Sequence, residues 1–416
     1  MMKTGIIAVV LVVCFGILAS AAALDNTHMG SKANAMGKAF TGLADDPSAV
    51  FYNPAGLVFQ REGLSVQTYG LYVMTDLTYS AAQIMSPTTT ENASDAAVLF
   101  PGVFINYRQG DTAFGFGLYI PYGGGKYKYE DFRGVTGLTI EQSLGLLAFG
   151  GSMAIKLSDK FSLGVSLTGY MGQYSYEKSF PATTPAPVQA ALAPSQKDDI
   201  SAVAAVGGNF GLMFKPSETL SLGVTAKLPV RITVDGDTTF GAPLSSTYES
   251  AAELRLPWYV TLGMALKASP EFTLTFDFNY ALYSTMDKYT FLFRNFPAAF
   301  GTEIKDIRTG YTDATYFALG ADYKASDDLS LRGGVTLTPH ATLDDAISLS
   351  CDVTHITFAL GGAYKFAPEF ELTLSLHYLM GIERTITGTT GVTGVTGEQK
   401  FNKNALMIMT GINLAL

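Results

Sequence analysis

After residue 63 apolar and polar residues alternate with a period of two through most of the chain, the spacing of a strand with one greasy face and one polar face. In the stretch 219–234, Leu220, Leu222, Val224, Ala226, Leu228, Val230, Ile232 and Val234 share one side, while Ser221, Gly223, Thr225, Lys227, Pro229, Arg231 and Thr233 share the other. The stretch 370–384 repeats the pattern, with Phe370, Leu372, Leu374, Leu376, Tyr378 and Met380 opposite Glu371, Thr373, Ser375 and His377. Fourteen such strands are predicted, at 64–79, 98–108, 112–120, 138–157, 161–176, 203–215, 219–234, 257–268, 271–284, 311–325, 329–338, 353–366, 370–384 and 403–415. Most reach the roughly nine to eleven residues that a tilted strand needs to cross a bilayer.

The connections fall into two kinds. Short polar turns stand at Gln109–Asp111, Ser158–Lys160, Pro216–Glu218, Ser269–Glu271, Ser326–Asp328 and Ala367–Glu369, and five of them lead into near-copies such as KFSLGVSL and EFELTLSL. The opposite connections, 80–97, 121–137, 177–202, 235–256, 285–310, 339–352 and 385–402, are long and unlike one another. Short turns at one end, long loops at the other and an even strand number are the marks of an all-β, antiparallel outer-membrane barrel. The unequal spacing disfavours a propeller, whose blades recur at a fixed period.

Composition agrees. The 416 residues are 48% hydrophobic and only 15% charged, yet beyond the first 23 residues no apolar run reaches the 18 residues of a spanning helix. A barrel reconciles these facts by pairing every backbone group around a ring and facing alternate side chains to lipid. A net charge of −9 disfavours nucleic acid as a partner. Residues 1–23 read as a signal peptide, with Lys3, an apolar core from Gly5 to Leu18, and Ala21-Ala22-Ala23 at the cleavage site. Without them Cys351 is the lone cysteine, so no disulfide or thiolate metal set can form, and neither a metal nor a cofactor is expected. The four histidines are scattered and no hydrolase motif occurs; Ser375 and His377 share a face merely because they are two apart on a strand. No enzymatic activity is expected.

The stretch Gly30–Val58 matches neither neighbour. Small residues at Gly30, Ser31, Ala33, Ala35, Gly37 and Ala39 precede an Asp45-Asp46-Pro47 turn and then Asn53-Pro54-Ala55-Gly56. Such a segment suits an insert packed inside something else. In its order of small-residue run, acidic turn and Asn-Pro-Ala it resembles the N-terminal hatch of the FadL/TodX family of outer-membrane long-chain fatty acid transporters, and 256–280 and 315–335 look like that family's later strands. The resemblance implies a hatch over 24–62 inside a barrel over 63–416, gated near Asn53, Pro54, Ala55 and Gly56. It also implies capture of ligand by the loops 177–202 and 235–256, and passive release sideways past a kinked third strand. There Gly115 and Gly117 are inward, beside outward Phe114, Phe116, Leu118 and Ile120; the glycines either open the wall or make room for the hatch.

Candidate ligand contacts are inward Lys227, Arg231 and Arg332, which suit a carboxylate or pair with Asp277, Asp322 and Glu371. Others are the loop aromatics Phe291, Phe293, Phe296 and Phe300, and the apolar piece Val188–Ala193. The expected partners are a hydrophobic small molecule, a fatty acid or an aromatic hydrocarbon, with outer-membrane lipids and lipopolysaccharide around a monomer. An adhesive barrel and an open porin are the rival functions. The final Leu416 departs from the aromatic ending usual in such barrels.

Overall fold

The computed structural model describes residues 28–81, 89–95, 98–132, 135–181, 195–241, 245–286, 288–297, 304–347, 351–389 and 396–416. Residues 1–23, expected to be a signal peptide, Val188–Ala193 and Phe300 lie outside them. Pairing is antiparallel throughout, and the first strand, Gly63–Ala81, pairs with the last, Thr396–Ala415, over most of its length, so the sheet closes on itself. Twenty strand segments make fourteen barrel strands among the described residues, because six strands are interrupted. The chain end seals the seam: Leu416 N–H donates to the Leu64 carbonyl at 2.7 Å and Leu64 N–H to that of Leu416 at 3.1 Å.

The alternation places its apolar side outward, as expected of a wall that meets hydrocarbon. Leu167 and Leu360 are 67% and 71% exposed, positions that only a lipid solvent makes favourable. No helix among the described residues is long and apolar enough to cross a membrane; the strands do so.

Two expectations are corrected. The segments taken as loops are largely strand: the third strand runs Thr112–Tyr129, the sixth Gln196–Phe214, and 235–256 is mostly the hairpin formed by Val230–Phe240 and Ser246–Leu256. Above the bilayer both faces of a strand are polar or aromatic, so hydrophobic alternation fades while pairing continues. The second correction concerns parity. The seventh strand breaks between Leu220–Lys227 and Val230–Phe240, and the eighth between Ser246–Leu256 and Tyr259–Lys267, at one level, where Leu228-Pro229 faces Pro257-Trp258. Proline has no N–H for the ladder, and a one-residue slip exchanges the faces. Above the break Val230, Ile232 and Val234 are therefore buried and Arg231 points outward.

Residues 28–62 fill the lower bore. The hatch contains helices Ser31–Ala35 and Ala49–Tyr52 and a 3-10 turn Pro54–Phe59, all far shorter than an autonomous helix, so the enclosing wall holds them. Inward glycines take its backbone. A Cβ on Gly164 would overlap Pro54 and Ala55, on Gly223 Thr41, on Gly263 Gly42, on Gly320 Met36, and on Gly334 Gly37. This belt of glycines is a requirement for close approach, met strand by strand.

Candidate functional site

The Asn-Pro-Ala-Gly segment is tied in place. Asn53 accepts from Ala55 N–H at 3.1 Å, and its amide donates to the carbonyls of Thr41 at 2.9 Å and of Leu212 in the sixth strand at 3.2 Å. Pro54 opens the 3-10 turn, the Ala55 carbonyl accepts from Ser162 Oγ at 2.7 Å, and any side chain at Gly56 would overlap Ala44. A second anchor joins hatch and wall: Lys32 Nζ lies 2.8 Å from Asp45 and 3.1 Å from Asp322, and Arg332 Nε lies 3.2 Å from Asp322. In a third, the Asp277 carboxylate accepts the backbone N–H groups of Phe40 and Thr41 at 3.0 and 2.9 Å.

Immediately above the hatch lies a cavity of about 190 Å³. One side is greasy, with Phe51 and Tyr52 of the hatch facing Phe100, Tyr119, Tyr122 and Tyr170. The rest of the lining mixes Lys38 of the hatch and Lys403, His355, Asp277, Asn279, Thr336 and Thr338 of the wall with apolar Leu379, Ala405 and Met407. Lys227 lines it too, its ammonium 3.3 Å from the centroid of the Phe51 ring, a cation–π contact. His28, on the hatch side, is held neutral: burial, then neighbouring Lys38, push its pKa well below the ordinary 6.5. Overhead a second apolar core, including Tyr79, Tyr129, Phe132, Ile347 and Phe401, fills the outer end of the bore.

The cavity reaches a fault in the wall. The ladder between the second strand (Thr89–Asp95 and Val98–Gln109) and the third stops at Val103↔Leu118 and resumes at Asp95↔Tyr127. Toward the fourth strand, Thr139–Ser158, the register slips at Tyr119/Tyr122 and again at Tyr122/Gly125. Pro121, which lacks an N–H, and Gly123, at φ +122°, occupy this interval, and both line the cavity.

Of the candidate ligand contacts named from sequence, Lys227 alone among the described residues lines the cavity, together with Asp277, named there as a possible partner. Arg231 is corrected to the outer wall, where it meets Glu253 at 3.3 Å. Arg332 is inward but committed to Asp322 beneath the cavity. Phe293 and Phe296 are buried, packed on Phe240 at ring-centroid distances of 6.1 and 6.2 Å, so they are core and not an exposed patch; Phe291 pairs through its backbone with Ala252. Gly115 and Gly117 keep their ladder partners on both sides, and a Cβ on Gly115 would press on Val50 and Leu57 of the hatch; the wall fault lies higher. Ser375 and His377 are hydrogen bonded at 2.8 Å, buried beneath the hatch where Gly361 meets Ala35. Sequence reading missed Lys38, Lys403 and Tyr122; Pro121-Tyr122 followed by three glycines was the available signal.

A sequence profile for outer membrane protein transport protein (OMPP1/FadL/TodX) matches residues 10–415. The chain belongs to this family. Family membership makes it an outer-membrane barrel and a transport protein. It is similar to outer membrane protein P1 of Haemophilus influenzae, 23% identical over 407 residues and covering 87% of both chains. Its fold matches that of a Pseudomonas aeruginosa FadL homologue (TM-score 0.76, 17% identity, 93% of this chain and 98% of that one). It also matches the Pseudomonas putida toluene transporter TodX (TM-score 0.71, 16% identity, 93% of this chain and 98% of that one).

Proposed function

We propose that this FadL/TodX-family barrel carries hydrophobic compounds with an anionic head, long-chain fatty acids being the substrate class, passively into the outer membrane. The observation that carries this reading is the cavity, aromatic toward the fault in the third strand and holding Lys38, Lys227 and Lys403 among its other lining residues. A carboxylate is stabilised beside ammonium groups in a low-dielectric bore, and an alkyl chain beside Phe100, Tyr119 and Tyr122 loses contact with water, worth roughly 25 cal/mol per Å². The outer loops collect the ligand, a shift of the hatch near Asn53–Gly56 frees it, and it leaves sideways past Pro121–Gly123. The hatch disfavours a general porin, because a filled bore carries no bulk water.

Uptake of monoaromatic hydrocarbons is the second reading, favoured by size. The cavity of about 190 Å³ is close to the roughly 150 Å³ that accommodates one benzene ring in an engineered protein core. Mass spectrometry of lipid extracted from the purified protein, followed by uptake assays with oleate and toluene, separates the two. Co-purified fatty acid and oleate uptake are expected. Toluene uptake without any retained carboxylate would replace the first reading by the second.

A further inference from the structure

Above the shared break in the seventh and eighth strands, the outer wall changes chemistry within one turn of the pleat. Below it the outward residues are Leu222 and Val224 on the seventh strand and Trp258, Leu262, Met264 and Leu266 on the eighth, all exposed. Above it stand Arg231 and Arg255, paired directly across the ladder, with side chains 63% and 44% exposed. Glu253 lies between them, 3.3 Å from Arg231 Nη1 through one oxygen and 3.2 Å from Arg255 Nη2 through the other. Two cations flank one anion, so the trio carries a net positive charge. Each guanidinium has five N–H groups, more than Glu253 can accept.

Depth decides what these groups meet. A strand tilted at about 45° climbs roughly 2.3 Å per residue, so Arg255 stands about 26 Å above Leu266, against an apolar band of about 25 Å in such barrels. The guanidinia therefore lie at the headgroup level of the outer leaflet, one step above the interfacial Trp258. Higher on the same face come Asp235, Asp237 and Glu249, the last 3.8 Å from Arg294, so that level carries more acid than base. Two arginines directly opposite each other repel, and a phosphate placed before them removes that cost while accepting from both planar forks.

We propose that Arg231 and Arg255 form a clamp for the phosphate headgroup of an outer-leaflet glycolipid, the phosphorylated lipid A portion of lipopolysaccharide, which takes the N–H groups that Glu253 leaves over. The test is native mass spectrometry of the full barrel in detergent with bisphosphorylated lipid A, the dephosphorylated lipid, and inorganic phosphate. In R231Q/R255Q, retention of lipid A falls by about tenfold or more, as expected for loss of charge-assisted bonds. The wild type retains the dephosphorylated lipid no better than that variant does. E253Q, which frees both forks, binds lipid A at least as well as the wild type. Heat-modifiable mobility on gels checks that each variant is a folded barrel. Equal retention of lipid A by wild type and double variant overturns the clamp, as does equal binding of the dephosphorylated lipid. Retention of inorganic phosphate as strong as that of lipid A makes this a free-anion site and overturns the lipid assignment.

Discussion

At the residue scale, a few polar side chains hold the hatch and the cavity together. Asn53 satisfies one backbone donor and two backbone acceptors on three separate segments. Asn53→Ala leaves these groups unpaired at about 1–3 kcal/mol each, and amide hydrogen exchange of residues 53–56 is expected to accelerate relative to the strands. Lys227→Leu removes one cation from the cavity while keeping its bulk. Retention of oleate is expected to fall about tenfold, or about 1.4 kcal/mol, while toluene retention stays within twofold. His28 gives the hatch a pH response of definite sign. Its folded pKa is depressed below 6.5, so the stability it contributes is complete above that value and is lost as pH falls toward the folded value. Protection factors of the amides of residues 33–39, taken relative to intrinsic exchange at each pH, should therefore fall on going from about pH 7.5 to about pH 5, and His28→Phe should abolish that fall.

At the element scale, strand alternation was legible wherever one side met lipid. The third and thirteenth strands keep their expected faces, with Phe114, Phe116 and Leu118 outward and Thr373, Ser375 and His377 inward. It failed where the reason for alternation failed. Arg231 was misplaced because Pro229 slips the register, a local event that a period-two template carries straight through. The hairpin Val230–Phe240 with Ser246–Leu256 was read as loop because, beyond the bilayer, no hydrocarbon demands an apolar outer face. The Asn53–Gly56 motif was visible, but its partners on the fifth, sixth and seventh strands were not, since contact across the bore leaves no periodic trace. The fault between the second and third strands carries its own expectation. Pro121→Val restores a ladder donor, and uptake should fall several-fold while ligand retention by the purified protein is unchanged. A loss of retention equal to the loss of uptake would mean that Pro121, which also lines the cavity, acts through the pocket and not through the exit.

At the scale of the whole molecule, the cavity is bounded by two apolar cores, the hatch below and the loop-derived core above. Bilayer recordings of the intact protein should show little steady current, since both ends of the bore are filled; large steady channels would mean that these cores do not seal it.

The belt of glycines bears on how the molecule is made. Hatch backbone rests against wall positions from Gly164 to Gly334, with contacts reaching Gly411 on the last strand. A methyl group added at any of these inward positions would displace the hatch while leaving the lipid-facing side chains untouched, so cork and cylinder fit as a matched pair specified on both surfaces.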